Sequence, residues 1–363
     1  MISKKGPIEG NAIIVSNGLL GEIFGKTANG LIRGTDRFNI LGVIDHIHAG
    51  KDAGEVLDGK PKNIPVYASI TDFFDHSSEK PDYCIVGGAF PGGALPDDWN
   101  RVLLIAIENG LSIINGLHQY LSEIPMFQNA ARKFGVELLD IRKPRTINEL
   151  HFWNGEVLLV KTPKIAVLGI DCATGKRTTS RFLMETCREN GIQAEMIYTG
   201  QTGWMQGYKH GFIFDATLND FVSGEIEKAI VECDRQLSPD LILIEGQSGL
   251  QSPSGPCGSE LILSGNVKGV ILQHTPFRTY FEDLEDIGCL LPSVENEIKL
   301  IGMYGARILA VTLNGENKDE NELIAYQKKL NEKLNIPVIR PLEEGVLSLI
   351  PAVKEYIKEM KKT

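Results

Sequence analysis

The stretch Lys164–Arg181, KIAVLGIDCATGKRTTSR, constrains the fold more than any other part of the chain. Its apolar run, Ile165 to Leu168, ends at Gly169 and reads as a buried strand stopped by a tight turn. A small polar loop, Asp171 to Thr174, then leads to Gly175 and Lys176. From Thr178 the pattern is helical: Phe182, Leu183, Glu185, Thr186 and Cys187 recur at spacings of three and four, up to the stop at Asn190-Gly191. A strand, a glycine loop and a lysine at a helix start together describe a phosphate-binding loop. Its amides face inward, the helix N-terminus adds positive dipole, and Lys176 supplies a point charge.

The spacing departs from the usual pattern, which has four residues between the glycines and Ser or Thr directly after the lysine. Here five residues separate Gly169 from Gly175, and Arg177 follows Lys176, so that Thr178 and Thr179 come one and two places late. The longer loop resembles the variant in dethiobiotin-synthetase-like ATPases. The hydroxyl after the lysine normally holds Mg²⁺, which an arginine cannot do. Gly169, Asp171, Cys172, Ala173, Thr174, Gly175, Lys176, Arg177, Thr178 and Thr179 are therefore assigned as a cofactor-binding anion cradle. Metal-assisted phosphoryl transfer is disfavoured, and no metal ligands are assigned.

With 363 residues the chain is long enough for two domains with separate cores. Its 42% hydrophobic and 23% charged content is that of a soluble globular protein. A net charge of −10 argues against a general nucleic-acid or anionic-membrane binder. Six scattered cysteines without a C-x-x-C pair, no N-terminal apolar signal and no membrane-length run favour a cytoplasmic protein with reduced thiols.

The first part alternates strand and helix signals. Strands are expected at Asn11–Ser16, Phe38–Ile44, Ile64–Tyr67, Pro81–Val86 and Leu111–Ile114, with helices near Gly25–Arg33, Ser69–Asp75, Arg101–Asn109 and Gln119–Glu123. Such alternation indicates a parallel, doubly wound sheet, which binds ligands beyond its strands' carboxyl ends. The order of its middle segments is similar to the CoA-binding domain of succinyl-CoA synthetases, a likeness shared with many NAD-binding domains. Asp45, His46 and His48 read as a structured loop. Glu137–Arg145 reads as a solvated connector, which sets the domains at 1–145 and 146–363; Arg142, Lys143 and Arg145 could alternatively charge an interdomain cleft. His151–Val160 reads as a hairpin around Asn154-Gly155.

In the second part, strands are expected at Ala194–Tyr198, Leu241–Ile244, Gly269–Gln273, Ile308–Leu313 and Ile336–Arg340. Helices are expected from Asp220 to Ile230, near Val294–Tyr304, at Glu320–Leu334 and in the final region from Val346 to Met360. The whole is α/β, two doubly wound domains with mostly parallel sheets. Glu245 ends an apolar strand at the place where P-loop proteins keep an acid that holds a metal or orients water. His274 and Arg278 follow the next strand as an acid/base and anion-binding pair.

Five strings taken together identify a family resemblance over nearly the whole chain. They are G-x-D-C-A-x-G-K (Gly169–Lys176), T-G-Q-T-G (Thr199–Gly203), D-F-V-x-G (Asp220–Gly224), E-G-Q-x-x-L (Glu245–Leu250) and H-x-P-x-R (His274–Arg278). They resemble a family long described as a domain of unknown function, with a Rossmann-like N-terminal domain and a P-loop NTPase-like C-terminal domain. Some members are D-glutamate N-acetyltransferases. The resemblance implies transfer of an acetyl group from acetyl-CoA to the amine of a small-molecule amino acid.

The residue chemistry permits this, because CoA carries phosphates that a P-loop could hold intact. Acetyl transfer needs a base for the amine, and His274, Glu245 and Asp220 are the candidates by position. Gln201, Thr202, Gln247 and Arg278 are placed as substrate-binding residues. Two alternatives stay open: an ATP- and Mg²⁺-dependent ligase or kinase of the dethiobiotin-synthetase-like group, and a non-enzymatic nucleotide sensor. No nucleic-acid or membrane partner is expected, and self-association is left open.

Overall fold

Runs such as Ile165–Leu168 and Leu241–Ile244 carry no alternation of polar and apolar residues, and only a sheet covered on both faces can bury them. The computed structural model of the chain describes residues 7–316 and 319–362 and contains two such sheets. The first is built from β1 (Gly10–Val15), β2 (Phe38–Ile44), β3 (Val66–Tyr67), β4 (Tyr83–Val86), β5 (Ser112–Asn115) and β6 (Leu138–Asp140), in the order β3-β2-β1-β4-β5-β6. The second is built from β7 (Lys164–Gly169), β8 (Ala194–Ile197), β9 (Leu241–Glu245), β10 (Gly269–His274), β11 (Arg307–Leu313) and β12 (Val338–Ile339), in the order β12-β11-β10-β7-β9-β8. Every strand pairing in both is parallel.

By compactness the chain forms one unit that runs to Pro144 and takes in Gln201–Tyr208, and a second from Arg145 to Gly200 and from Lys209 onward. The first core gathers Ile13, Val15, Phe73, Val86, Trp99, Leu103, Ile113 and Phe127. Asp45, at the end of β2, is fully buried and accepts from the amides of Gly18 (2.7 Å) and Leu20 (3.2 Å) and from its own loop at Ile47 and His48. The second core gathers Ile197, Ile226, Ile244, Leu272 and Val311. In that sheet β7 lies between β9 and β10, so strand order reverses beside it and its carboxyl end opens at the switch point.

Three local readings change. Glu137–Arg145 is not simply a connector, because Leu138–Asp140 forms the edge strand β6. Asp140 is buried there and accepts from Asn115 Nδ2 (2.7 Å) and the amides of Leu121 (3.0 Å) and Ser122 (2.9 Å). The basic residues of this run each meet a partner of their own unit: Lys143 pairs with Glu123 at 3.0 Å, Arg142 donates to the Gly116 carbonyl and Arg145 pairs with Glu225. The helix expected near Gln119–Glu123 is a short 3₁₀ turn, and a ten-residue helix follows from Pro125, whose missing N–H suits a first helical position.

His151–Val160 forms no hairpin. Gly155 adopts φ 88° and a 3₁₀ turn, Glu156–Leu159, follows. Amides that a hairpin would pair go to buried carboxylates of the helix Asn219–Leu237. His151 N donates to Glu225 Oε1 (2.7 Å), and Asn154 N and Val157 N donate to the two oxygens of Glu227 (2.7 and 3.1 Å).

Candidate functional site

The loop after β7 is built by close approach. A Cβ on Gly169 would lie 2.8 Å from Thr174 Oγ1 and 2.9 Å from Lys176 Cδ, so only glycine lets the lysine fold back across the strand end. Ala173 (φ 54°) and Gly175 (φ 104°) turn the chain through left-handed conformations, and the helix Lys176–Glu189 begins at once. Thr179 is buried in its first turn, and its hydroxyl donates to Gln273 Oε1 (2.7 Å), which also accepts from Thr312 (2.7 Å). Thr174 is buried, and Thr178 and Cys172 are half-buried.

Lys176 is buried. Its ammonium donates to the Asp171 carbonyl, to the Ser248 carbonyl at 2.9 Å and to Thr174 Oγ1 at 3.4 Å. Burial lowers its pKa, an effect opposed by the neighbouring Cys172 and Asp171. Ser248 offers its carbonyl from φ 38°, a left-handed conformation that a serine adopts at a cost of ~1 kcal/mol. Ala173 and Ser248 are thus two non-glycine residues held in left-handed conformations around one lysine.

Glu245 closes β9 and is 4% exposed. Burial raises its pKa; the charge of Arg177, the amides of Thr199 and Gly200, and Lys176 pull the other way. Thr199 N donates to its Oε2 (3.0 Å), and Gln247 Nε2 donates to Thr199 Oγ1 (2.9 Å). Two cations, Lys176 and Arg177, thus act on one buried acid. In P-loop enzymes that use Mg²⁺, the acid and the hydroxyl after the lysine hold the metal between them. Here a guanidinium on the residue after the lysine takes the hydroxyl's place.

Asp171 is buried beneath the loop. It accepts from Cys172 N and Glu282 N and pairs with Arg278 Nη1, all at 2.7 Å. Arg278 also donates to the Cys172 carbonyl (2.9 Å) and pairs with Glu282 (3.0 Å) and Glu316. The structure therefore puts Arg278 among three carboxylates of its own chain, bracing the phosphate loop from outside. Glu282 and Glu316 escaped the sequence reading, since neither belongs to a motif; Gln273, a polar residue closing an apolar strand, was the one available signal.

The remaining predicted residues are dispersed. His274 is buried, and its Nε2 lies 2.8 Å from Tyr326 Oη. Gln273 meets the P-loop helix, so strand alternation turns His274 to the sheet's other face. Burial lowers its pKa to about 4. Asp220 is exposed in the first turn of its helix. Gln201 and Thr202 belong to the first unit, where both are buried; Gln201 packs on Gly116, and Thr202 Oγ1 lies 3.5 Å from Thr27 Oγ1.

The parallel sheet, the glycine loop at its switch point and the buried lysine define the second unit as a P-loop domain. Residues 151–350 match the family described as "Domain of unknown function (DUF1611_C) P-loop domain", and residues 46–144 match its partner, the DUF1611_N Rossmann-like domain. The chain belongs to the DUF1611 family. A crystal structure of a DUF1611 family protein from Anabaena variabilis ATCC 29413 superposes with a TM-score of 0.84 at 25% identity, covering 95% of this chain and 99% of that one. A protein named D-glutamate N-acetyltransferase from Pseudoalteromonas sp is 28% identical over 278 residues, 73% of this chain and 79% of that protein. Another of that name, from Tritonibacter scottomollicae, is 28% identical over 278 residues, 74% of this chain and 80% of that protein.

Proposed function

We propose that this protein is an N-acetyltransferase that moves the acetyl group of acetyl-CoA to the amine of an amino acid, with its P-loop holding the cofactor's phosphates intact. The observation that carries the reading is Arg177. A P-loop lysine followed by a guanidinium that acts on the buried Glu245 has the donors to hold an anion and lacks the hydroxyl–acid pair that organises Mg²⁺ for phosphoryl transfer. The donor set fits a phosphate: one ammonium, the loop amides and a helix N-terminus.

When bound, acetyl-CoA supplies an activated acyl group. The chain's own task is to seat the phosphates and to take the proton of the attacking amine. Lys176 exchanges its loop carbonyls for phosphate oxygens. Of the three candidate bases Glu245 is preferred: it is buried at the end of β9, its pKa is raised by burial, and the charges of Arg177 and Lys176 act on it. His274 faces Tyr326, and Asp220 lies exposed at a helix start. Gln247, hydrogen-bonded to Thr199 next to Glu245, is the nearest of the assigned side chains to orient the substrate. The two relatives' name makes D-glutamate the first amine to try.

The test incubates the full chain with acetyl-CoA and D- or L-glutamate and follows free thiol, with and without EDTA. Thiol release that EDTA leaves unchanged, and that Lys176→Met reduces at least tenfold through weaker CoA binding, supports the reading. Phosphate release from ATP–Mg²⁺ with no thiol release would replace it with a ligase or kinase. CoA or nucleotide binding with neither product would leave a sensor.

A further inference from the structure

Glu297 is a buried acid to which the proposed chemistry gives no role. It lies in the helix Val294–Met303, outside the five motif strings, and is 1% exposed. Both of its oxygens go to one short segment. Oε1 accepts from Leu250 N at 3.1 Å, and Oε2 accepts from Gln251 Nε2 at 2.6 Å. Burial raises its pKa; these two donors and the charge of Lys176 pull the other way.

That segment directly follows the residues on which the lysine rests. Ser248 gives its carbonyl to Lys176 Nζ at 2.9 Å and holds φ 38° while doing so. Gly249 comes next and lies against the end of β7, since a Cβ there would fall 2.4 Å from the Ile170 carbonyl oxygen. Its own carbonyl accepts from Ser252 N (3.2 Å) and Cys257 N (3.1 Å). The backbone has two soft dihedrals per residue, so anchoring Leu250 and Gln251 restricts where the Ser248 carbonyl points. An ammonium has three donors, and Lys176 directs them to the Asp171 carbonyl, Thr174 Oγ1 and the Ser248 carbonyl. Of these acceptors only Ser248 lies outside the phosphate loop. The direction of the ammonium therefore depends on a second segment, and that segment on Glu297.

We propose that Glu297 is a positioning residue for the phosphate grip: through Leu250 and Gln251 it fixes the Ser248 carbonyl that aims the Lys176 ammonium at an incoming phosphate. The inference rests on the reading of the loop after β7 as a grip for cofactor phosphates. Glu297 itself touches no cofactor in this role. A carboxylate suits the position because both groups facing it are donors and both of its oxygens accept. A glutamine would face Gln251 with a donor of its own, but Gln251 is exposed and can reverse its amide.

The test measures CoA and ADP affinity of the full chain by calorimetry. In ligand-free protein it also follows the rate at which acetic anhydride modifies Lys176, read by peptide mass spectrometry. Glu297→Ala should weaken whichever ligand the wild type binds by about tenfold and speed Lys176 labelling by about as much, the scale of one lost hydrogen bond to a buried charge. Glu297→Gln should restore both to within about threefold of wild type, since its amide keeps one acceptor for the Leu250 N–H. Gln251→Met, a change at an exposed side chain, should move both in the direction of Glu297→Ala but less far. Glu295→Gln, on the same helix but paired with Lys333, should leave both unchanged. A purely structural role would lower the melting temperature of Glu297→Ala while leaving affinity and labelling of the folded protein at wild-type values, and that result overturns the inference. Should Glu297→Ala not fold, wild-type affinity and labelling in Gln251→Met overturn it instead. A wild type that binds ADP and not CoA replaces the acetyl-transfer reading and leaves the same variants to decide this one; with neither ligand bound, the labelling rates decide it alone.

Discussion

Replacing Arg278 with methionine separates bracing of the loop from recognition of a substrate. The guanidinium is 7% exposed and faces Asp171, itself 2% exposed, together with Glu282 and Glu316. Removing one partner of such a buried pair typically costs 3–5 kcal/mol, because the other charge is left uncompensated. Glu282 and Glu316 keep some solvent, at 17% and 28% exposure, so the lower end applies, about 3 kcal/mol. In a domain of this size that lowers Tm by roughly 6–12 °C. The loss should be largest at neutral and high pH. Burial already raises the pKa of Glu282, and without Arg278 it rises further, so falling pH protonates the stranded acid and narrows the gap to wild type. CoA affinity should fall too, since Asp171 and the Cys172 carbonyl lose their tether. The assay pairs thermal melts at about pH 5.5 and about pH 8.5 (about one and a half units either side of neutrality) with CoA titration. A Tm within ~2 °C of wild type, with KM raised only for the amino acid, would refute the brace and return Arg278 to the substrate.

Glu245→Gln should lower turnover by about 10²–10⁴-fold while CoA binding persists, the range for loss of a general base. In wild type, kcat/KM should fall on the acid side as pH drops through the raised Glu245 pKa; an acid limb near pH 4 would instead indicate His274, whose pKa lies at about 4. His274 also predicts a stability effect. With its folded pKa below the ordinary 6.5, the unfolded chain binds more protons between those values, so stability falls as pH drops from 6.5 toward 4. His274→Gln should flatten that loss by up to about 3 kcal/mol, read from urea unfolding at each pH. Gly249→Ala should displace the phosphate loop, since its Cβ would lie 2.4 Å from the Ile170 carbonyl oxygen; CoA affinity equal to wild type would show that the loop absorbs the clash.

The elements were legible where one local signal dominated. The strands β2, β7 and β9 were legible as short apolar runs, and the helix Glu320–Leu334 by its amphipathic spacing, because each agreed with its flanking punctuation. At His151–Val160 the Asn154-Gly155 pair signals a hairpin, but none forms. Glu225 and Glu227, some seventy residues away, take the amides first. The signal of β6, Leu138 and Leu139, is outweighed in the sequence by the basic residues after it.

The candidate site divides in the same way. Gly169, Gly175, Lys176 and Arg177 announce an anion cradle because the geometry of a phosphate loop is local: a strand end, a turn and a helix start within a dozen residues. Tertiary structure alone decided which groups surround it. Ser248 reaches Lys176 across 72 residues, Arg278 reaches Asp171 across 107, and Gln273 and His274, adjacent in sequence, face opposite sides of one sheet. The sequence determined what each short segment prefers, since those preferences act over one or two turns of chain. Strand order determined which loops meet, and with that which acid is buried where the lysine's charge acts on it and which arginine is already spent on its own chain.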